Sequence, residues 1–272
     1  MSLIVPPHDP VSIGLSDAVR RAEQPLQTEM RLLVESLYGP PVRRLPGLDV
    51  GRAYWGATKE FRYGGDMVDV FQYSNGRVSL AVIDISGHGI RAARYAGLAK
   101  YALRAYTSRG CDALDSMRGL NRLYLENSTF EGEHELFATA FFAIVDARRQ
   151  TMQYVSAGHE AACMVTPDGS RLLDVTGPII GLMDDDDAFA QETVPLGHGD
   201  IFAAVTDGFT EARDERFAFL GADALVDVIE RNRVCEAEQQ AEAVTRYAYE
   251  YAGTRLEDDV AALVVKVDVL AS

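Results

Sequence analysis

Cysteine is scarce in this chain. Three occur, Cys111, Cys163 and Cys235, far apart along 272 residues, which excludes a disulfide framework and a paired-cysteine zinc site and points to a reducing compartment. No apolar run approaches the ~20 residues that a membrane-spanning helix needs. Met1 to Pro10 has no basic stretch followed by an apolar one, so no secretory signal is expected and the chain reads as soluble and cytoplasmic. Base is outweighed by acid, with 26 Lys+Arg against 41 Asp+Glu and a net charge of −15. Nucleic-acid binders usually carry a basic face, so neither nucleic acid nor a membrane is expected as a partner. The acid excess suits a chain that holds divalent cations or meets a basic partner, although alone it mainly signals solubility. Internal repeats and long low-complexity linkers are absent too.

The chain does have enough for a packed core. Hydrophobic residues make up 47% and aromatics 9%, which excludes wholesale disorder. From Ser12 to Leu37, apolar residues Leu15, Val19, Ala22, Leu26, Met30, Leu33 and Leu37 recur at steps of three and four, the period of a helix. Pro25 predicts a kink or break in it, and Gly39-Pro40-Pro41 a stop. So narrow a stripe needs a partner surface. It fits docking on its own domain, or a dimerising or signal-transmitting helix. Residues 1–45 are therefore expected to form an N-terminal helical extension and residues 46–272 a single domain.

Within that domain the period changes to two. Strands are expected at Leu48 to Ala57, Met67 to Tyr73, Val78 to Ile85, Leu136 to Asp146, Thr151 to Ser156, Ala162 to Thr166, Asp200 to Thr206 and Val260 to Val267. Ser74-Asn75-Gly76-Arg77 and Pro167-Asp168-Gly169-Ser170 read as hairpin turns. Helices are expected at Ile90 to Thr107, Asp112 to Glu126, Ala222 to Arg231 and Ala237 to Tyr251. Strands joined by hairpins, with helices inserted in blocks, indicate an α+β fold of antiparallel sheets covered by helices.

The most informative pattern is acidic. Asp84 ends one apolar strand and Asp207, in Thr206-Asp207-Gly208, ends another. Glu257-Asp258-Asp259 opens the last strand, and Gly64-Gly65-Asp66-Met67-Val68-Asp69 leads into an earlier one. A carboxylate at the mouth of a buried strand is costly to desolvate unless positive charge meets it. Four such positions with no matching Lys or Arg alongside call for a hard cation, and oxygen-only ligands select magnesium, manganese or calcium over zinc. The neighbouring glycines suit turns in which the backbone comes close to an ion or its waters.

Taken in order, Gly64-Gly65-Asp66-Met67-Val68-Asp69, Asp84-Ile85-Ser86-Gly87-His88-Gly89, Ser156-Ala157-Gly158-His159, Thr206-Asp207-Gly208-Phe209-Thr210-Glu211-Ala212 and Asp258-Asp259-Val260 resemble the stage II sporulation protein E branch of the protein phosphatase 2C-like (PPM) family. The resemblance covers about Pro46 to Val267. It implies an αββα sandwich of two antiparallel sheets flanked by helices. It also implies a binuclear Mn²⁺ or Mg²⁺ centre and removal of phosphate from phosphoserine or phosphothreonine in a protein by a metal-activated bridging water. By the same resemblance Asp66 and Asp84 bind metal, Asp84 bridges two ions, the carbonyl of Ile85 binds one of them, and Asp207 and Asp258 bind the other. Asp258 matches the family ligand better than Asp259. The implied substrate is a phosphorylated regulatory protein such as an anti-anti-sigma (STAS-type) factor.

The two-metal logic needs no side-chain nucleophile, because phosphoryl transfer asks mainly for position and charge. His88, four residues after Asp84, could protonate the leaving oxygen or simply hydrogen-bond its turn or a metal-bound water. Asp69 is expected to act through water rather than as a direct ligand, His159 to stabilise a turn, and Glu211 to brace the Asp207 loop. The family's phosphate-holding arginine has no dependable counterpart, and Lys59, Arg62 and Arg91 read as surface charges. Asp184-Asp185-Asp186-Asp187 lacks the spacing of a calcium loop and reads as a solvated tip. Two other functions compete: a two-metal nucleotidyl cyclase-like enzyme, which lacks a glycine-rich phosphate loop here, and a non-catalytic partner-binding module on the same fold.

Overall fold

A computed structural model of the chain describes residues 44–56, 65–73, 76–87, 89–131, 136–159, 161–253 and 255–268. The helix expected over Ser12 to Leu37, and His88, lie outside the described residues. The described ones fall within the compact unit Pro41–Ser272.

Eleven strands are described: β1 (Arg44–Leu45), β2 (Leu48–Trp55), β3 (Met67–Tyr73), β4 (Arg77–Ile85), β5 (Ala138–Asp146), β6 (Thr151–Ala157), β7 (Ala162–Thr166), β8 (Gly169–Leu172), β9 (Glu192–Pro195), β10 (Ile201–Val205) and β11 (Val260–Val267). They form two sheets, in the orders β1-β2-β11-β10-β7-β8 and β3-β4-β5-β6-β9. Every strand pair is antiparallel. The helices are α1 (Gly89–Ser108), α2 (Ala113–Glu131), α3 (Asp207–Thr210), α4 (Asp223–Arg231) and α5 (Ala237–Tyr251). None is long and apolar enough to cross a membrane.

Alternation along the strands sorts the side chains into layers. Phe202 and Ala204 of β10, with Ala261, Leu263 and Val265 of β11, point between the sheets. They meet Val78, Leu80 and Val82 of β4 and Phe141 of β5 there. The rings of Phe141 and Phe202 stack across the layer at 5.0 Å. The alternate residues of the same strands, Ile201, Ala203 and Val205 with Val260, Ala262 and Val264, pack outward against Leu225 and Ile229 of α4 and Ala241 and Val244 of α5. Because β10 and β11 are covered on both faces, β10 and residues 260–265 of β11 read as unbroken apolar runs rather than alternating ones.

The outer face of the other sheet is covered by α1 and α2. Here one polar contact is buried with the apolar ones. Asp69 lies on β3 between the inward-pointing Val68 and Val70, so it faces α1. Its carboxylate takes two hydrogen bonds from Arg104, Nε at 2.7 Å and Nη2 at 2.6 Å, with Lys100 Nζ at 3.5 Å. The expected water-mediated role of Asp69 at a metal gives way to this one: both oxygens are turned into the helix-sheet layer. Burial lowers the Lys100 pKa, and Asp69 opposes the shift.

Breaking a buried ion pair by deleting one partner leaves an uncompensated charge. Asp69→Ala is therefore expected to lower the unfolding free energy by on the order of 3 kcal/mol in urea denaturation. A loss within about 0.5 kcal/mol, typical of surface substitutions, would contradict this account of the contact.

Candidate metal centre

Strand pairing brings the predicted acids together before any side-chain detail is considered. Met67 pairs with Ile83 across β3 and β4, so continuing the antiparallel register by one residue sets Asp66 opposite Asp84. Val205 pairs with Ala262 across β10 and β11, so Asp207 leaves one strand near where Asp258 and Asp259 lead into the other. The two strand-pair ends belong to different sheets of the sandwich. The four acids meet at one edge of it.

Two close backbone approaches shape the turns. A Cβ on Gly65 would stand 2.2 Å from the carbonyl oxygen of Ile85, and one on Gly208 would stand 1.9 Å from that of Asp259. No larger residue fits either place. Ser86 closes the Asp84 turn, its N–H donating to the Phe137 carbonyl at 2.9 Å and its hydroxyl accepting from the Phe137 N–H at 3.1 Å.

Thr206 is the residue that sequence reasoning left without a role. Its hydroxyl donates to Asp66 Oδ2 at 2.6 Å and accepts from the Ala261 N–H at 2.9 Å, and its N–H donates to the Ala261 carbonyl at 3.1 Å. It therefore ties a carboxylate ahead of β3 to the β10–β11 pair of the opposite sheet. As the residue before α3 it would ordinarily cap that helix, yet its side chain makes no cap there. The hydroxyl is committed to Asp66. A polar residue immediately before a strand-end acid was the available signal.

Electrostatically the cluster is strained. Asp66 is 5% exposed. Burial first, then the charge of Asp84, holds its carboxyl well above the usual range, the Thr206 bond opposing and Asp207 and Asp258 adding to the rise. Asp84 is pushed up to about 7 by burial and by the charges of Asp207 and Asp258, and it hydrogen-bonds to both Asp66 and Asp207. Asp207 is raised by burial, by Asp258 and by Glu211. Asp258 is raised by burial, its Oδ1 accepting the Asp259 N–H at 2.7 Å. Carboxyls this close must share protons or hold a cation. Among the described residues no three such side chains are already closed around a common point.

The other candidates fall around this cluster. The Asp259 carboxylate is taken by the Tyr54 hydroxyl, whereas Asp258 acts on Asp66, Asp84 and Asp207. Glu211 braces the loop through its backbone, its N–H donating to the Asp207 carbonyl at 2.7 Å. His159 is buried, with Nδ1 3.4 Å from the Thr139 hydroxyl. Thr139 is the β5 residue paired with Asp84. Burial lowers the His159 imidazole to about 4, so it is neutral, and its carbonyl accepts from the Ser156 hydroxyl at 2.5 Å, within the turn. The aspartate run is not a solvated tip throughout: the Asp186 carboxylate meets Arg122, and its carbonyl accepts from Arg118 Nε at 2.8 Å. A cleft of ≈ 240 Å³ opens beside the cluster, with Gly208 and Asp258 in its wall.

Comparison with known proteins agrees with this fold. Phosphoserine phosphatase RsbU of Bacillus subtilis is 25% identical over 253 residues, 91% of this chain and 72% of that protein. Protein IcfG of Synechocystis is 27% identical over 192 residues, 62% of this chain, but the chain spans only 30% of that protein's length. Among solved structures, the SiaA-PP2C domain of Pseudomonas aeruginosa superposes with a TM-score of 0.69 at 19% identity, covering 95% of this chain and 99% of that one. The catalytic domain of the serine/threonine phosphatase PstP, solved with two manganese ions, shares the fold at a TM-score of 0.61 and 13% identity, over 81% of this chain and 98% of its own. Residues 74–268 match the family described as Stage II sporulation protein E (SpoIIE). Sandwich, acidic motifs and family match converge, and the chain belongs to the stage II sporulation protein E family on the protein phosphatase 2C-like fold.

Proposed function

We propose that this chain is a metal-dependent protein serine/threonine phosphatase that hydrolyses a phosphoserine or phosphothreonine ester on a regulatory protein. The observation that carries the reading is the cluster of Asp66, Asp84, Asp207 and Asp258, raised in pKa by burial and mutual charge. Such a set destabilises the metal-free fold, so a module with no use for cations would lose nothing by replacing it. The donors are all oxygen, and they fit two Mn²⁺ or Mg²⁺ ions. Asp66, Asp84, Asp207 and Asp258 would hold such ions, with the Ile85 carbonyl as a neutral donor and Asp84 in contact with both Asp66 and Asp207. Bound ions would supply activation of a water and neutralisation of phosphoryl charge.

The chain's own residues do the positioning. Thr206 orients Asp66, the Asp259 N–H orients Asp258, and Gly65 and Gly208 allow the backbone to close on both sides. Burial pushes the Cys163 thiol up to about 12, so it offers no thiolate and no covalent route. His88 is assigned as the donor to the leaving oxygen. The name of RsbU as a phosphoserine phosphatase supports the substrate class. A phosphorylated anti-anti-sigma (STAS-type) factor in the cytoplasm is the partner we assign, with residues 1–45 as a regulatory or dimerising helical extension.

Two outcomes follow. Manganese-dependent hydrolysis of p-nitrophenyl phosphate should fall at least ~100-fold in Asp207→Asn, the loss expected when several kcal/mol of transition-state charge stabilisation is removed. Activity retained in that variant would contradict the assignment. The second outcome concerns pH. The folded Asp84 binds its proton up to about 7 against an ordinary 3.8, so this group stabilises the metal-free fold below 3.8. That contribution is lost as pH rises through about 7. Cations compete with the same proton, so calorimetric Mn²⁺ affinity should climb by up to about tenfold per pH unit below pH 7 and level off above it. Affinity that is flat from pH 5 to 8 would count against it.

A further inference from the structure

Beside the carboxylate cluster the chain forms a small hairpin that the core does not require. Arg213 pairs with Phe219 across it. Asp214 sets the turn: its Oδ1 accepts the N–H groups of Arg216 at 2.8 Å and Ala218 at 2.9 Å, and its carbonyl accepts that of Phe217 at 3.0 Å. The Tyr251 hydroxyl anchors the far side, donating to the Ala218 carbonyl at 3.2 Å. At the tip Phe217 has φ 61° and is 75% exposed. A bulky side chain in the left-handed region is strained, and an aromatic held out in water gains nothing from burial. A turn with a purely structural purpose would carry Gly or Asn there.

Phe217, Arg255, Glu257 and Asp258 all line the cleft. Arg255 is exposed, and its guanidinium has no hydrogen bond or ion pair among the described residues. Arg213, in contrast, lies 4.7 Å over the Phe219 ring and 4.0 Å from Glu257. The acids of the wall, Glu211, Asp214, Glu257 and Asp258, outnumber its two arginines. The cleft itself is therefore no cup for a dianionic phosphoryl group. It offers an aromatic lip and one uncommitted guanidinium, at a place continuous with Asp258.

We propose that Phe217 and Arg255 read the polypeptide on either side of the phosphorylated residue. Phe217 covers an apolar side chain of the substrate protein, and Arg255 pairs with one of its carboxylates, while the phosphoester sits at the Asp258 end of the cleft. Guanidinium–carboxylate pairing supplies direction, and a rigid exposed aromatic supplies contact area. The inference rests on the phosphatase reading above.

The test uses the full chain with Mn²⁺ and two synthetic phosphoserine peptides, one with Leu and Glu beside the phosphoserine and one with Gly and Lys there. The wild type should favour the first by about tenfold or more in kcat/KM. Arg255→Glu should shift the preference towards the Lys peptide. Phe217→Gly, which relieves the backbone strain and so keeps the hairpin, should shrink the preference for the Leu-Glu peptide. Hydrolysis of p-nitrophenyl phosphate with equal use of both peptides, or an unchanged preference in both variants, would overturn this inference and leave the phosphatase standing. Failure to hydrolyse any of the three esters would overturn both.

Discussion

Mutual repulsion among four neighbouring carboxylates, Asp66 buried, Asp84 half-buried and Asp207 and Asp258 at the exposed rim, is the constraint around which this structure is arranged. Asp66, Asp84, Asp207 and Asp258 each carry a raised pKa, with burial as the first cause in every case. Water would relieve that repulsion by separating them, but two antiparallel pairings prevent it. The β3–β4 register holds Asp66 against Asp84, and the β10–β11 register holds Asp207 near Asp258. The inter-sheet layer then presses the two pairs together. The core is thus the source of the electrostatic strain at that edge.

The polar contacts near that edge divide into those that hold the acids and those that hold the scaffold. Thr206 spans the two sheets with a single hydroxyl, accepting from Ala261 and donating to Asp66. Asp69, only three residues beyond Asp66, has the opposite assignment: its carboxylate is neutralised by Arg104 and Lys100 and fastens α1 to β3. Neighbours on one strand can differ so much because consecutive side chains point to opposite faces.

Much of this was legible in the sequence. The strands and helices fall close to their expected positions because unbroken apolar runs such as Ile201–Val205 and residues 260–265, buried on both faces, leave little ambiguity. The four acids stood out because each sits at a strand boundary, Asp66 and Asp207 directly beside a glycine. What was missed had no periodic signal. β8 is a short, polar edge strand, Gly169–Leu172, and β9 ends in Pro195, so neither carries an apolar pattern. The pairing of Asp69 with Arg104 depends on which face of β3 meets α1, a tertiary fact that spacing along the chain does not contain. The bonds from α2 to Asp186 were hidden for the same reason.

The central claim is that these four carboxylates enclose a pair of hard cations. Anomalous diffraction at the manganese edge from crystals grown with Mn²⁺ tests it most directly. Two peaks roughly 4 Å apart, lying between the Asp66–Asp84 and Asp207–Asp258 ends with Asp84 touching both, are the predicted result. Manganese bound only elsewhere on the acidic surface, with no peak between the four carboxyls, would contradict it.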